Sequence, residues 1–122
     1  IEALKNGFDY VYLHMEAPDE CGHQGDLKNK IYSIELIDKI VVQYIVSQLE
    51  SIGEPYSILV APDHPTPIAL KTHTADPVPF VIFRSDNIKS NKYDKMCERN
   101  AKASGKYFDS GESLIKNFIF EK

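Results

Sequence analysis

The sequence predicts an α/β fold, a mostly parallel sheet flanked by helices. Three observations carry that expectation. Residues 8–14 (Phe8-Asp9-Tyr10-Val11-Tyr12-Leu13-His14) and 57–60 (Ser57-Ile58-Leu59-Val60) are short, strongly apolar or β-branched runs of strand length. Between them lies a long stretch with helical period, so the order strand, helix, strand describes a βαβ unit with a right-handed crossover. Asp19, His23, Asp63 and His64 follow the carboxyl ends of the two strands, where open α/β sheets place their sites.

Taken in order, residues 1–6 read as a helix end with Gly7 as its stop, and residues 8–14 as a buried strand. In the segment 15–26, Asp19 and His23 stand four apart, a spacing that puts both on one helical turn, and Gly22 and Gly25 permit tight backbone. Asp26 is the expected N-cap of the next helix. There Ile31, Ile34, Ile37, Val41, Tyr44, Ile45, Gln48, Leu49 and Ile52 hold the helical period, and Leu36, Ile40, Val42 and Val46 widen the apolar face as for a helix lying on a sheet. Gly53 and Pro55 end it. Lys28 and Lys30, near its start, are expected to be solvated rather than to face a phosphate.

After the strand at 57–60 comes a proline-rich loop; five of the seven prolines lie between Pro62 and Pro79. Proline fixes φ and restricts its predecessor, so such a loop loses less entropy on ordering than a Gly/Ser loop. Residues 79–83 read as a further strand, 84–94 as a polar surface connection, and 95–104 as a short helix ended by Gly105. Asp109 and Glu112 have the spacing of a capping box for a terminal helix whose apolar face is Leu114, Ile115, Phe118 and Ile119. Ser110 and Ser113 lie at the same helix start, where capping explains them better than a nucleophilic role.

Composition narrows the functional classes. Apolar residues are 43% and aromatics 11%, enough for a core. The net charge of −4 leaves no basic footprint for nucleic acid. No stretch is long and apolar enough to span a bilayer, so no membrane partner is expected. Cys21 and Cys97 form no CxxC motif and read as free thiols of a cytoplasmic protein. The chain starts on Ile1 and runs almost at once into a strand, as a piece of a longer protein would.

The chemistry is concentrated in two places. Asp19 and His23 form one Asp/His pair and Asp63 and His64 a second; with His73 they include three of the chain's four histidines. Carboxylate and imidazole ligands suit Mn²⁺, Zn²⁺, Fe or Co, and Mg²⁺ less well. These candidates exceed what most single protein sites use and fall short of two complete ones, which suits a two-metal centre completed by groups elsewhere. Such centres clamp the oxygens of a phosphoryl or hydrolytic transition state and activate a hydroxyl nucleophile. Adjacent Asp63 and His64 cannot aim alike from a regular strand, so the backbone must turn there. An ordinary proline-rich surface loop with polar residues is the alternative.

Two blocks make the pattern specific: Ala17-Pro18-Asp19-Glu20-Cys21-Gly22-His23-Gln24-Gly25-Asp26, and Pro62-Asp63-His64-Pro65-Thr66-Pro67 continued by Lys71-Thr72-His73-Thr74-Ala75-Asp76-Pro77-Val78-Pro79-Phe80. Together they resemble the cofactor-independent phosphoglycerate mutases of the archaeal-type branch, within the alkaline phosphatase superfamily. The resemblance covers nearly the whole chain and implies that residues 1–122 are the C-terminal part of that family's alkaline phosphatase-like catalytic domain, a metal-dependent phosphotransfer domain. It implies two divalent metal ions, manganese first, with magnesium or zinc as alternatives. Asp19, His23 and His73 would hold one ion, Asp63 and His64 the other. The nucleophilic serine and a further aspartate of the family have no counterpart in these blocks. The implied substrate is a small-molecule phosphoglycerate. In the family a serine takes the phosphoryl group of 3-phosphoglycerate and returns it to the 2-hydroxyl, without 2,3-bisphosphoglycerate.

Two residues depart from the family's usual pattern: Cys21 replaces an alanine, and Glu16 stands where a basic residue is common. Cys21 is read as a bystander rather than a ligand, and His14 as a packing residue. Two other readings stay open. One is a phosphatase or phosphotransferase with the same metal core acting on another small hydroxy acid such as homoserine. The other is a metal-binding or structural fragment without activity, whose exposed sheet edge would invite self-association.

Overall fold

A computed structural model describes residues 1–89 and 93–121. They fall into two compact units, Ile1–Glu54 with Thr66–Thr74, and Pro55–Pro65 with Ala75–Lys122.

In the first unit, α1 (Glu2–Lys5) is a single turn, after which Gly7 takes a φ of +88° that a side chain would resist. Helix α2 (Ala17–Gln24) carries Pro18 in its first turn, where the missing N–H costs nothing, and ends on Gly25 in the left-handed conformation. Asp26 caps α3 (Leu27–Leu36) as its sequence position predicts: its carboxylate accepts from the Asn29 N–H at 3.0 Å and from the Asn29 amide at 2.6 Å. The predicted long helix is continuous but not uniform. Between α3 and α4 (Gln43–Ile52) the run Ile37–Val42 is π-helical, with helical dihedrals at both joints, and Gly53 ends α4 at φ +78°. Helix α2 packs on α3. Leu49 is buried, while Ile31, Ile34, Ile40 and Tyr44 of the same apolar run are exposed.

The strand predicted over residues 8–14 does not form; the segment has no assigned strand structure and pairs with no strand among the described residues. A strand exists only through its ladder partners. Without them the apolar side chains stay in solvent, Phe8 at 64% and Tyr12 at 67% exposure. His14, expected to pack, is exposed beside Tyr12 and Glu16.

In the second unit, β1 (Ser57–Val60) pairs with β2 (Val81–Arg84) in register Ser57↔Arg84, Ile58↔Phe83, Leu59↔Ile82 and Val60↔Val81. The pairing is antiparallel, so among the described residues the fold is mixed α/β with a two-stranded antiparallel sheet, and neither the predicted parallel sheet nor the βαβ crossover is formed. The connection between the strands carries no helix to make a parallel crossover. β2 begins two residues after Pro79, which has no N–H to give a ladder. Tyr56 and Phe83 meet with ring centroids 5.8 Å apart, and Phe80 meets Phe108 edge-on at 5.4 Å.

Helix α5 (Glu98–Ser104) ends on Gly105 at φ +70°. Helix α6 (Gly111–Phe120) is capped one residue later than predicted. Ser110, not Asp109, is the N-cap and accepts from the Ser113 N–H, while the Ser113 hydroxyl accepts from the Ser110 N–H. At the other end the Arg84 guanidinium donates to the carbonyls of Asn117 and Phe118 at 3.3 and 3.1 Å and lies 5.7 Å over the Phe118 ring. It thereby adds a second donor to the Asn117 carbonyl, which also accepts from the Glu121 N–H at 3.1 Å, and reaches the Phe118 carbonyl in the last turn of the helix. The polar connection predicted over 84–94 is described only in part, because residues 90–92 lie outside the described residues. Both cysteines are free thiols. Among the described residues no helix is long and apolar enough to cross a membrane.

Candidate metal centre

The first unit brings together three of the predicted site residues. Asp19 and His23 project from one turn of α2, with His23 Nε2 3.3 Å from Asp19 Oδ2. The loop Thr66–Thr74 returns His73 to the same place. Its Nε2 lies 3.0 Å from His23 Nε2 and 3.3 Å from Asp19 Oδ1. The two rings are tilted by 48° with centroids 4.9 Å apart, so their nitrogens converge without stacking.

These spacings permit a direct test of fit. In tetrahedral coordination, donors about 2.0–2.1 Å from a shared ion stand about 3.3 Å from one another. The two imidazole Nε2 atoms are 3.0 Å apart, each lies 3.3 Å from one of the two Asp19 carboxylate oxygens, and one ligand atom from each residue can be chosen so that all three lie within 4.8 Å of one another. One carboxylate and two imidazoles are also a donor set that first-row divalent ions accept. Side-chain exposures of 31%, 38% and 50% for Asp19, His23 and His73 leave the cluster open to an entering ion.

The surroundings orient the donors. His23 Nδ1 faces the Lys71 carbonyl at 3.0 Å. A carbonyl only accepts, so Nδ1 carries a proton, and Nε2 is the ring nitrogen that faces the cluster and could ligate an ion there. Lys71 reaches that position with φ +55°, uncommon for a residue with a side chain, after a turn in which the Pro67 carbonyl accepts from the N–H groups of Leu70 and Lys71. The Thr66 hydroxyl donates to Asp19 Oδ1. Lys30 Nζ donates to the Thr66 carbonyl at 2.6 Å, so it is neither a phosphate-facing nor a freely solvated lysine. Gly22, buried on α2, lies so close to Thr66 that an added Cβ would meet its carbonyl oxygen at 2.6 Å.

Asp63 and His64 belong to the second unit, where the chain bends just beyond β1. The backbone does turn at this pair. The His64 N–H donates to Asp63 Oδ1 at 3.1 Å, and His64 Nε2 lies 3.4 Å from Asp63 Oδ2. Cys21 is half-buried on α2. Sequence reasoning missed Thr66, Lys30 and the Lys71 carbonyl as parts of the Asp19 site. Gly22 inside a helix was the one local signal, since a mid-helix glycine marks a close approach.

Comparison with known proteins shows the family of the chain as a whole. The profile of the Metalloenzyme superfamily matches residues 1–122. A 2,3-bisphosphoglycerate-independent phosphoglycerate mutase of Methanosarcina mazei is 46% identical over 102 residues, which are 84% of this chain and 25% of the relative. The enzyme of that name from Methanothrix thermoacetophila is 44% identical over 119 residues, 98% of this chain and 30% of the relative. A Geobacter sulfurreducens protein named as a probable enzyme of the same kind is 45% identical, over 98% of this chain and 29% of its own. The chain thus spans between 25% and 30% of these relatives' lengths. No solved structure matches.

Proposed function

The chain belongs to the Metalloenzyme superfamily, and on that premise we propose that the protein containing it is a 2,3-bisphosphoglycerate-independent phosphoglycerate mutase. The observation that carries the reading is the convergence of Asp19, His23 and His73 in a chain 44–46% identical to proteins of that name. In this reading Asp19, His23 and His73 hold one divalent ion. Asp63 and His64 are ligands of a second, manganese being the favoured metal at both. Bound divalent ions supply positive charge to the phosphoryl oxygens and make a hydroxyl nucleophile more acidic.

The residues of this chain do the holding. The Lys71 carbonyl keeps the proton of His23 on Nδ1, and α2 keeps Asp19 and His23 on one face. Residues 1–122 then form the C-terminal part of the catalytic domain, and the nucleophilic serine comes from another part of the protein. Residues 8–14, which form no strand among the described residues, become a parallel strand once a neighbouring strand is present. The protein works in the cytoplasm on a small phosphoglycerate, and this segment by itself is inactive.

A phosphorus NMR time course on the whole protein with Mn²⁺ and 3-phosphoglycerate tests the reading. Conversion to 2-phosphoglycerate without free phosphate is the expected result. Release of free phosphate alone would make the protein a phosphatase, and an unchanged spectrum would refute phosphoglycerate as the substrate.

A further inference from the structure

We propose that Thr66 is a positioning residue of the Asp19–His23–His73 centre, its hydroxyl setting the orientation in which the Asp19 carboxylate meets a divalent cation. The inference rests on the metal reading of that cluster and adds a residue that holds a ligand without being one. Thr66 is 5% exposed, the one buried polar residue among those described. A buried hydroxyl must find a partner, and this one donates to Asp19 Oδ1. The terminal torsion of an aspartate is broad and roughly two-fold, so a carboxylate without such an anchor samples many orientations. With Oδ1 engaged by Thr66, Oδ2 lies 3.3 Å from His23 Nε2.

Thr66 is itself fixed from three sides. Pro65 and Pro67 flank it, and a residue before proline is held out of the helical region. Lys30 Nζ grips its carbonyl oxygen at 2.6 Å. Its Cγ2 and carbonyl oxygen press on Gly22, where an added Cβ would lie 2.8 and 2.6 Å away. The division of labour has an electrostatic logic. A neutral hydroxyl orients Asp19 while leaving the carboxylate its full charge for a cation, whereas the ammonium of Lys30 is placed on the Thr66 carbonyl.

The test is Mn²⁺ binding to the whole protein, followed through the electron paramagnetic resonance signal of free Mn²⁺, in wild type, Thr66→Val, Thr66→Ser and Asp19→Asn. Valine keeps the branched shape and removes the hydroxyl; serine keeps the hydroxyl. For the ion that Asp19→Asn removes, Thr66→Val should bind roughly 10–100-fold more weakly, the usual effect of losing a partner that orients a ligand. Thr66→Ser should stay close to wild type. Circular dichroism checks folding, and Thr66→Ala, which also lacks the hydroxyl, replaces Thr66→Val if that variant fails to fold. Unchanged affinity in the hydroxyl-free variant, or equal loss in Thr66→Ser, would overturn the assignment. Unchanged binding in Asp19→Asn would instead refute the metal reading itself, and this inference with it.

Discussion

Replacing Gly22 with alanine sets two effects of opposite sign against each other. In an ordinary helix interior the change is favourable, by about 1 kcal/mol, because glycine gives up more backbone freedom. Here the new Cβ would sit 2.6 Å from the Thr66 carbonyl oxygen, 2.8 Å from its Cγ2 and 2.9 Å from Lys30 Nζ. Ordinary contact begins at 3.4 Å, so the carbonyl oxygen must retreat by about 0.8 Å. A lysine tip can swing away; a carbonyl between two prolines cannot move alone. Overpacking of this kind costs roughly 1–3 kcal/mol, and displacement of Thr66 also weakens its hydrogen bonds to Asp19 and Lys30, where a charged partner makes each worth about 1.5–3 kcal/mol. The clash therefore wins, and Gly22→Ala should destabilise the folded protein by roughly 1–3 kcal/mol net. Denaturant unfolding of the whole protein measures it. Gly111→Ala is the control, since its Cβ position has nothing within 4 Å and α6 should gain or stay neutral. Stabilisation of Gly22→Ala by the ordinary helix increment, with metal binding intact, would refute the close-packing argument.

Two further outcomes follow from the same contacts. The Asn29 backbone N–H, and then its side-chain amide, hold the Asp26 carboxyl below its ordinary value of 3.8. A depressed folded value means that the stabilisation is present above the unfolded value and is lost as pH falls from about 3.8 through the folded value. Asp26→Asn should keep the cap and abolish that acid-range dependence in a helicity titration; persistence of the dependence would assign it elsewhere. Arg84→Ala removes the guanidinium from the Asn117 and Phe118 carbonyls and should fray the end of α6, at a cost of about 1–2 kcal/mol; amide exchange at residues 117–120 reads the effect, and unchanged protection would contradict it.

What the sequence reveals here depends on how local each feature is. The Asp26 cap, β1 and the Asp19–His23 spacing lie within one turn or one strand, the helical period from α3 to α4 lies within one continuous helical run, and each is found where its pattern places it. Features set by distant partners were harder to read. His73 meets His23 across 50 positions, and only the resemblance of two motif blocks grouped them. Thr66 gave no cue of its own, because its importance lies in the groups it touches on α2 and α3. Apolar residues 8–14 report a preference for burial in a sheet but not the strand that would cover them. The antiparallel pairing of β1 with β2 was missed because apolar runs carry no direction. The shift of the α6 cap from Asp109 to Ser110 is a choice between adjacent capping residues that sequence spacing does not resolve.

The central claim is that Asp19, His23 and His73 hold a divalent ion. Anomalous diffraction from crystals of the whole protein grown with Mn²⁺ tests it most directly. The account predicts a manganese peak at coordination distance from the Asp19 carboxylate and from Nε2 of both His23 and His73, with His23 Nδ1 still on the Lys71 carbonyl. Manganese bound elsewhere while these three side chains remain turned on one another would contradict it.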